Sequence, residues 1–141
     1  RDDEAGIDHW LGQMGLADVR KVFPTRLSLG MARRVALARA FVIRPTLLLM
    51  DEPFVSLDEP TAERLRLLLL DTLERHRATT LFVSHDLREA VMLADRIAVL
   101  TPTPSRVRDV IEVGLDPSTR RDPEAVDRAR AEVARRIDRP A

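Results

Sequence analysis

The sequence predicts an α/β fold built on a parallel sheet. Two short apolar runs, 46–50 and 79–84, have the length and the flanking polar or turn-forming residues of buried strands. The segment between them, 60–77, has the apolar spacing of a long amphipathic helix. Strands that alternate with helices predict a parallel sheet with helices on its faces.

Two helices are expected before the first strand. One face of a short helix over 4–15 carries four apolar side chains, Ile7, Trp10, Leu11 and Met14. Ser28 can cap a second helix that runs from about Gly30 to Ile43, and Pro45 follows its end. We interpret Trp10 as a core residue.

The second half of the chain continues the alternation. Asp86 caps a short helix that ends near Ala94, and 97–100 is a third strand. An edge strand follows at 107–113. The composition then becomes rich in Ala, Arg and Glu, so 123–138 is either a solvated helix or a frayed tail.

Composition excludes several classes of protein. Lys and Arg total 23 and Asp and Glu total 23 in 141 residues, and this balance argues against a nucleic-acid-coating protein. The absence of Cys excludes a disulfide scaffold, a thiolate metal site and a cysteine nucleophile. The chain begins at Arg1 rather than Met, which we interpret as the sign of a fragment.

Ionisable side chains follow both predicted strands. Asp51 and Glu52 come directly after the first strand, and His85 follows the second. Sites in parallel sheets form beyond the carboxyl ends of the strands, where one carboxylate can hold a metal while its neighbour faces a water molecule. That arrangement suits phosphoryl transfer. The alternatives are a polar turn after a core strand and an ordinary loop histidine.

A helix start at Ser28 and Gly30 is a candidate anion site, because free backbone N–H groups and the helix dipole favour negative charge there. An ordinary helix cap is the alternative interpretation.

Together these motifs resemble the C-terminal half of the ATP-binding subunit of an ABC transporter, over about residues 11–113. Leu-Ser-Leu-Gly-Met at 27–31 resembles the signature motif. The segment 47–53 is similar to a Walker B strand with its catalytic glutamate. Ser-Leu-Asp at 56–58 resembles the D-loop, and 83–86 resembles the switch region with its histidine.

The resemblance implies the C-terminal part of a P-loop NTPase (RecA-like) parallel sheet with part of the ABC helical subdomain, the N-terminal P-loop portion being missing. It divides the chain into part of the helical subdomain at 1–45, part of the ATPase core at 46–113 and a charged C-terminal tail at 114–141.

The resemblance also implies a role for each site residue. Asp51 would hold Mg²⁺ through water, Glu52 would polarise the attacking water, and His85 would bridge the γ-phosphate and the catalytic site. Asp58 would lie at the interface with a second ATPase subunit in a head-to-tail dimer.

In that dimer, Ser28 and Gly30 would contact the ATP bound by the opposite subunit. Leu29 departs from the pattern, since the family normally has Gly at this position. Gly allows a close backbone approach to phosphate. We therefore expect Leu29 to weaken this half of the site.

The phosphate-binding loop Gly-x-x-x-x-Gly-Lys-Ser/Thr is not present in these 141 residues, because the only lysine, Lys21, has no glycine at the required place. We therefore expect this chain, taken alone, neither to bind MgATP tightly nor to hydrolyse it.

The implied function is that of the ATP-binding and ATP-hydrolysing subunit of an importer, closest in pattern to those for nitrate, sulfonate or taurine. Such a subunit would bind integral-membrane permease subunits, and no nucleic acid, at the cytoplasmic face of the bacterial inner membrane. The alternatives are a non-transport ABC ATPase and a non-catalytic half-domain that pairs with a separate P-loop polypeptide.

Overall fold

The computed structural model describes residues 2–76 and 78–138. The chain divides into two compact units, Arg1–Val83 and Ser84–Ala141. Helices and a parallel strand pair are both present, which confirms the predicted α/β class. No helix in the described ranges has both the length and the apolar character needed to cross a bilayer.

Among its described residues, the first unit contains three α-helices and two strands. Its elements are α1 (Asp2–Gln13), α2 (Leu29–Val42), β1 (Leu47–Asp51), α3 (Glu59–His76) and β2 (Thr79–Val83). The sequence predicted these elements well, because capping residues and prolines mark the ends of most of them.

Strands β1 and β2 are parallel and α3 connects them. Leu47 pairs with Thr79 at one end of the register and Asp51 with Val83 at the other. One more bond extends the pairing, since the backbone N–H of Glu52 donates to the carbonyl oxygen of Val83 at 3.0 Å. The carboxyl ends of both strands therefore lie at one edge of this sheet.

The prediction that both strands are fully buried is wrong. In β1 Leu48 is 6% exposed, whereas Leu49 is 65% exposed. Leu81 and Val83 in β2 are exposed in the same way, at 63% and 56%. Side chains alternate between the two faces of a strand, and only one face of this two-stranded sheet is covered. The other is an exposed apolar face.

The core of the helical part contains an aromatic cluster. Trp10 stacks on Phe41 with ring centroids 5.0 Å apart, and His76 lies 4.7 Å from Trp10. Trp10 and Phe41 are both buried, which confirms Trp10 as a core residue. Through this cluster, α1 and α2 pack against the last turn of α3.

The second unit consists of α4 (Leu87–Leu93), β3 (Arg96–Leu100), β4 (Val107–Glu112) and α5 (Pro123–Ile137). We predicted that its first strand would extend the parallel sheet. That prediction is wrong for the described part of the chain, where β3 pairs with β4 in antiparallel fashion. The connection between them is too short for a parallel crossover, so the two strands form a hairpin.

The tail is an ordered helix packed within the second unit. Ala125, Val126 and Val133 bury one side of α5. Just before it, the buried Arg120 donates from Nη1 to the carbonyl oxygen of Leu93 at 3.1 Å and forms an ion pair with Asp95. Of the two predicted alternatives, the structure supports a helix with a solvated outer face and excludes a frayed tail.

Candidate functional site

The chain turns sharply at Glu52. Its φ of 45° is in the left-handed region, which residues with a Cβ seldom adopt. The backbone is fixed there, since its N–H bonds to the carbonyl of Val83. Asp51 is exposed and Glu52 is half-buried. The predicted division of labour between these two adjacent carboxylates stays a prediction.

Asp51 is compatible with a Mg²⁺ site that has few protein ligands, rather than with one in which protein side chains supply all the ligands. Within the described ranges no group of three or more His, Cys, Asp or Glu side chains is placed to hold a metal ion. Mg²⁺ commonly takes one or two carboxylates and completes its octahedron with water and phosphate oxygens. A single exposed carboxylate at a strand end is compatible with that mode of binding.

Ser28 caps α2. Its Oγ accepts a hydrogen bond from the backbone N–H of Met31 at 3.2 Å. A hydroxyl that accepts can still donate, so its proton remains able to bond a ligand oxygen. Leu29 is the first residue of α2 and is 49% exposed. Its side chain thus occupies the surface at the positive end of the helix dipole.

Asp58 precedes the first turn of α3. Its Oδ2 accepts from the backbone N–H of Thr61 at 3.1 Å. Hydrogen bonding by the Thr61 side chain, and then by its backbone N–H, lowers the pKa of the Asp58 carboxyl below its ordinary value. The carboxylate is thereby held ionised and oriented. Ser56, two residues earlier, has a φ of 65° and closes the tight loop.

The structure brings two of the predicted binding segments together. We call residues 28–31 the signature segment and residues 56–58 the Asp58 loop. Both line a cavity of about 650 Å³ in the first unit, together with Arg34 and Arg64. Ser28, Gly30 and Asp58, which we predicted to act at one interface, are therefore neighbours on one concave surface.

His85 is exposed, and the residues on both sides of it are held by hydrogen bonds. Ser84 Oγ donates to Glu89 Oε2 at 2.6 Å and accepts from the backbone N–H of Asp86 at 3.0 Å. Asp86 in turn caps α4 by accepting from the N–H of Arg88 at 2.8 Å. His85 belongs to the second unit, and its predicted bridge between the γ-phosphate and the catalytic site stays a prediction.

A buried cation supports the turn after Glu52. Arg66 on α3 is 3% exposed, and its Nη1 donates to Glu59 at 2.9 Å and to Glu63 at 2.8 Å. Its guanidinium lies 5.7 Å from the centroid of the buried Phe54 ring. Phe54 follows Glu52 by two residues, so this contact fixes the turn against α3.

Three residues that support the site were not predicted from the sequence. Glu89 had a detectable signal, because Asp86-x-x-Glu89 is a capping-box pattern. Arg66 had none, since a charged residue in an amphipathic helix is expected on the solvent side. Thr61 had a local signal, because an Asp at a helix start is expected to accept from the backbone N–H three residues later.

Comparisons with known proteins agree with the motifs. The family described as "ABC transporter" matches residues 2–55. An aliphatic sulfonates import ATP-binding protein, SsuB 2 of Burkholderia cenocepacia, is 46% identical over 129 residues, which are 90% of this chain and 48% of that protein. SsuB 1 of Pseudomonas savastanoi is 45% identical over 127 residues, which are 86% of this chain and 54% of the relative. The chain spans about half the length of these curated relatives.

A solved structure shows the same fold. The structure of cbiO1 from Clostridium perfringens, described as part of the ABC transporter complex cbiONQ, superimposes with a TM-score of 0.66. It is 24% identical, and the match covers 95% of this chain and 51% of that one. At this identity the similarity establishes the fold alone.

Proposed function

We propose that this chain, which belongs to the family of ABC transporter ATP-binding domains, is part of the ATP-hydrolysing subunit of an importer for small solutes. Support comes from the four motifs, from the match to the family and from relatives named as sulfonate import proteins. The solute proposed is of the nitrate, sulfonate or taurine kind. The three-part division at 1–45, 46–113 and 114–141 is part of the proposal.

The observation that carries the proposal is the left-handed backbone of Glu52 at the carboxyl end of β1. Non-glycine residues held in this region cluster at functional sites, where the surrounding structure compensates for the strain. The Glu52 carboxylate accepts a hydrogen bond from the attacking water and withdraws its proton. Asp51 would hold Mg²⁺ through water, and the bound ion would neutralise phosphate charge.

His85 completes the proposed catalytic set. A ring N–H of this histidine donates a hydrogen bond to an oxygen of the terminal phosphate, where negative charge is concentrated. Ser84 and Asp86 restrict the backbone on both sides of it through the bonds to Glu89 and to the start of α4. Because the backbone on both sides is already restricted, His85 loses less conformational entropy when the phosphate binds.

The signature segment and the Asp58 loop form the proposed contact with a second ATPase subunit and its nucleotide. The free N–H groups at the start of α2 favour an anion, and Ser28 keeps a hydroxyl proton for it. The cavity of about 650 Å³ that both segments line offers a concave surface for this contact. ATP is thus proposed to lie between two subunits arranged head to tail.

The proposed partners on the membrane side are integral permease subunits. The printed descriptions of the relatives as import proteins, and of cbiO1 as part of a transporter complex, support this assignment. Attachment would be peripheral, at the cytoplasmic face of the bacterial inner membrane.

A chimaera tests the proposed function. In the Burkholderia relative, the 129 aligned residues are replaced by this chain. We expect MgATP hydrolysis by the purified chimaera and growth on an aliphatic sulfonate as the sulfur source. Glu52→Gln should lower the ATPase rate by about 10²–10⁴-fold, whereas the matched change Glu132→Gln, on the exposed face of α5, should not.

Each result of this experiment has a defined meaning. A folded chimaera without ATPase activity, or one unaffected by Glu52→Gln, would overturn the proposal. ATPase activity without growth on the sulfonate would favour a non-transport ABC ATPase. Saturable MgATP hydrolysis by the 141-residue chain alone would contradict our expectation for a sequence without the phosphate loop. In the chimaera, Leu29→Gly should raise the rate, and no increase would show that Leu29 is harmless.

A further inference from the structure

Gly30 lies where α2 approaches the first turn of α3. A Cβ built on Gly30 would lie 2.8 Å from the Cγ2 methyl of Thr61, which is closer than real Cβ contacts. No backbone requirement explains the glycine, because its φ is not in the left-handed region. The missing side chain is therefore what allows the signature segment to lie directly against Thr61.

Thr61 also holds the Asp58 loop. Its backbone N–H donates to Asp58 Oδ2 at 3.1 Å and to the Asp58 carbonyl oxygen at 3.0 Å. Its side chain contributes most to the lowered pKa of the Asp58 carboxyl. A threonine in a helix has few χ1 choices, and the hydrogen bond between the Thr61 side chain and the Asp58 carboxylate restricts them further. The methyl therefore cannot move away from Gly30 without disturbing Asp58.

We propose that Thr61 is a positioning residue that holds the signature segment and the Asp58 loop in one fixed arrangement, through its methyl on Gly30 and its N–H on Asp58. The two segments, 28–31 and 56–58, then present their ligand-facing groups to the cavity as one rigid surface. Displacement of one segment must displace the other. The functional meaning of this coupling rests on the proposed function, but the coupling itself does not.

The test uses the whole chain and no nucleotide. Gly30→Ala should lower the Tm by about 4–8 °C, the shift that a modest clash produces in a small domain. It should also move the amide NMR signals of 56–58 and raise the pKa of the Asp58 carboxyl, measured by ¹³C NMR. Thr61→Ser removes the clashing methyl and keeps the hydroxyl, so the double variant should recover both properties.

A matched control separates this clash from the general effect of alanine in a helix. Gly6 is in α1 and a Cβ there would have nothing within 4 Å. Gly6→Ala should therefore raise the Tm and leave the Asp58 signals unchanged, because alanine favours the helix more than glycine does. A lower Tm in this control would mean that the effect at Gly30 is not a specific clash.

Two results would overturn the inference. One is a Gly30→Ala variant whose Asp58 loop signals and Asp58 titration match the parent chain. The other is a double variant that shows no recovery. If Gly30→Ala does not fold, the Thr61→Ala variant tests the inference instead. It should shift both the amide NMR signals of the signature segment and the pKa of the Asp58 carboxyl. Failure of the chimaera assay together with success here would refute the proposed function and leave the coupling intact.

Discussion

Glu52 should lower the stability of the protein through its backbone. A residue with a Cβ in the left-handed region costs about 1–2 kcal/mol, whereas glycine adopts it freely. Glycine loses part of this advantage, roughly 0.5–1 kcal/mol, through the greater freedom of the unfolded chain. With a φ of 45° at this position, we expect Glu52→Gly to be more stable than Glu52→Ala by about 1 kcal/mol. Both changes remove the same carboxylate, so their difference isolates the backbone.

The assay is urea unfolding of the whole chain followed by far-ultraviolet circular dichroism. The same pair of substitutions at Arg44, where φ is 50°, should again favour glycine. At Ala36, an exposed site within α2, Ala36→Gly should reverse the order and cost about 1 kcal/mol. If Glu52→Gly is no more stable than Glu52→Ala while both controls behave as expected, Glu52 carries no strain and the observation behind the proposed function fails.

Three further predictions concern other parts of the first unit. The pKa of Asp58 is lowered in the folded state, so the Asp58 carboxylate stabilises the fold above its unfolded-state pKa of about 4. This stabilisation is lost as the pH falls through the folded-state pKa, so Asp58→Asn should make the urea midpoint vary less with pH between pH 3 and 7. Arg66→Ala should lower the free energy of unfolding by about 1–3 kcal/mol in thermal denaturation, and Arg66→Met by less, because methionine keeps most of the buried aliphatic stem; equal losses would contradict a packing role. Replacing Leu49 and Leu81, which are 65% and 63% exposed, by Thr should reduce light scattering on storage without lowering the Tm, and unchanged scattering would show that the exposed apolar face does not drive association.

Local signals predicted the helices of this chain accurately. Ser28 begins α2 and Asp86 begins α4 through hydrogen bonds that involve only the next three residues. Such bonds can be inferred from a sequence because both partners are adjacent in it. Asp51 and Glu52 were placed at a strand end for the same reason, since an apolar run that ends in carboxylates marks the edge of a sheet.

Burial and long-range pairing could not be inferred in the same way. The run at 47–50 predicted a strand covered on both faces, but exposure depends on which layers surround the sheet, and periodicity does not encode that. The alternation of strands and helices predicted parallel pairing for the third strand, whereas β3 pairs with β4 in an antiparallel hairpin. The contact of Gly30 with Thr61 joins positions 31 residues apart and depends on a clearance of a few tenths of an ångström.

Trp10 gives the chain a natural test of how its two units unfold. It is the only tryptophan, and the chain contains no tyrosine. Its indole is buried between Phe41 and His76, so its emission follows the first unit alone, whereas circular dichroism follows the helices of both units. Coincident urea curves from the two signals would mean one cooperative transition, and separated curves would mean that each unit has a stability of its own.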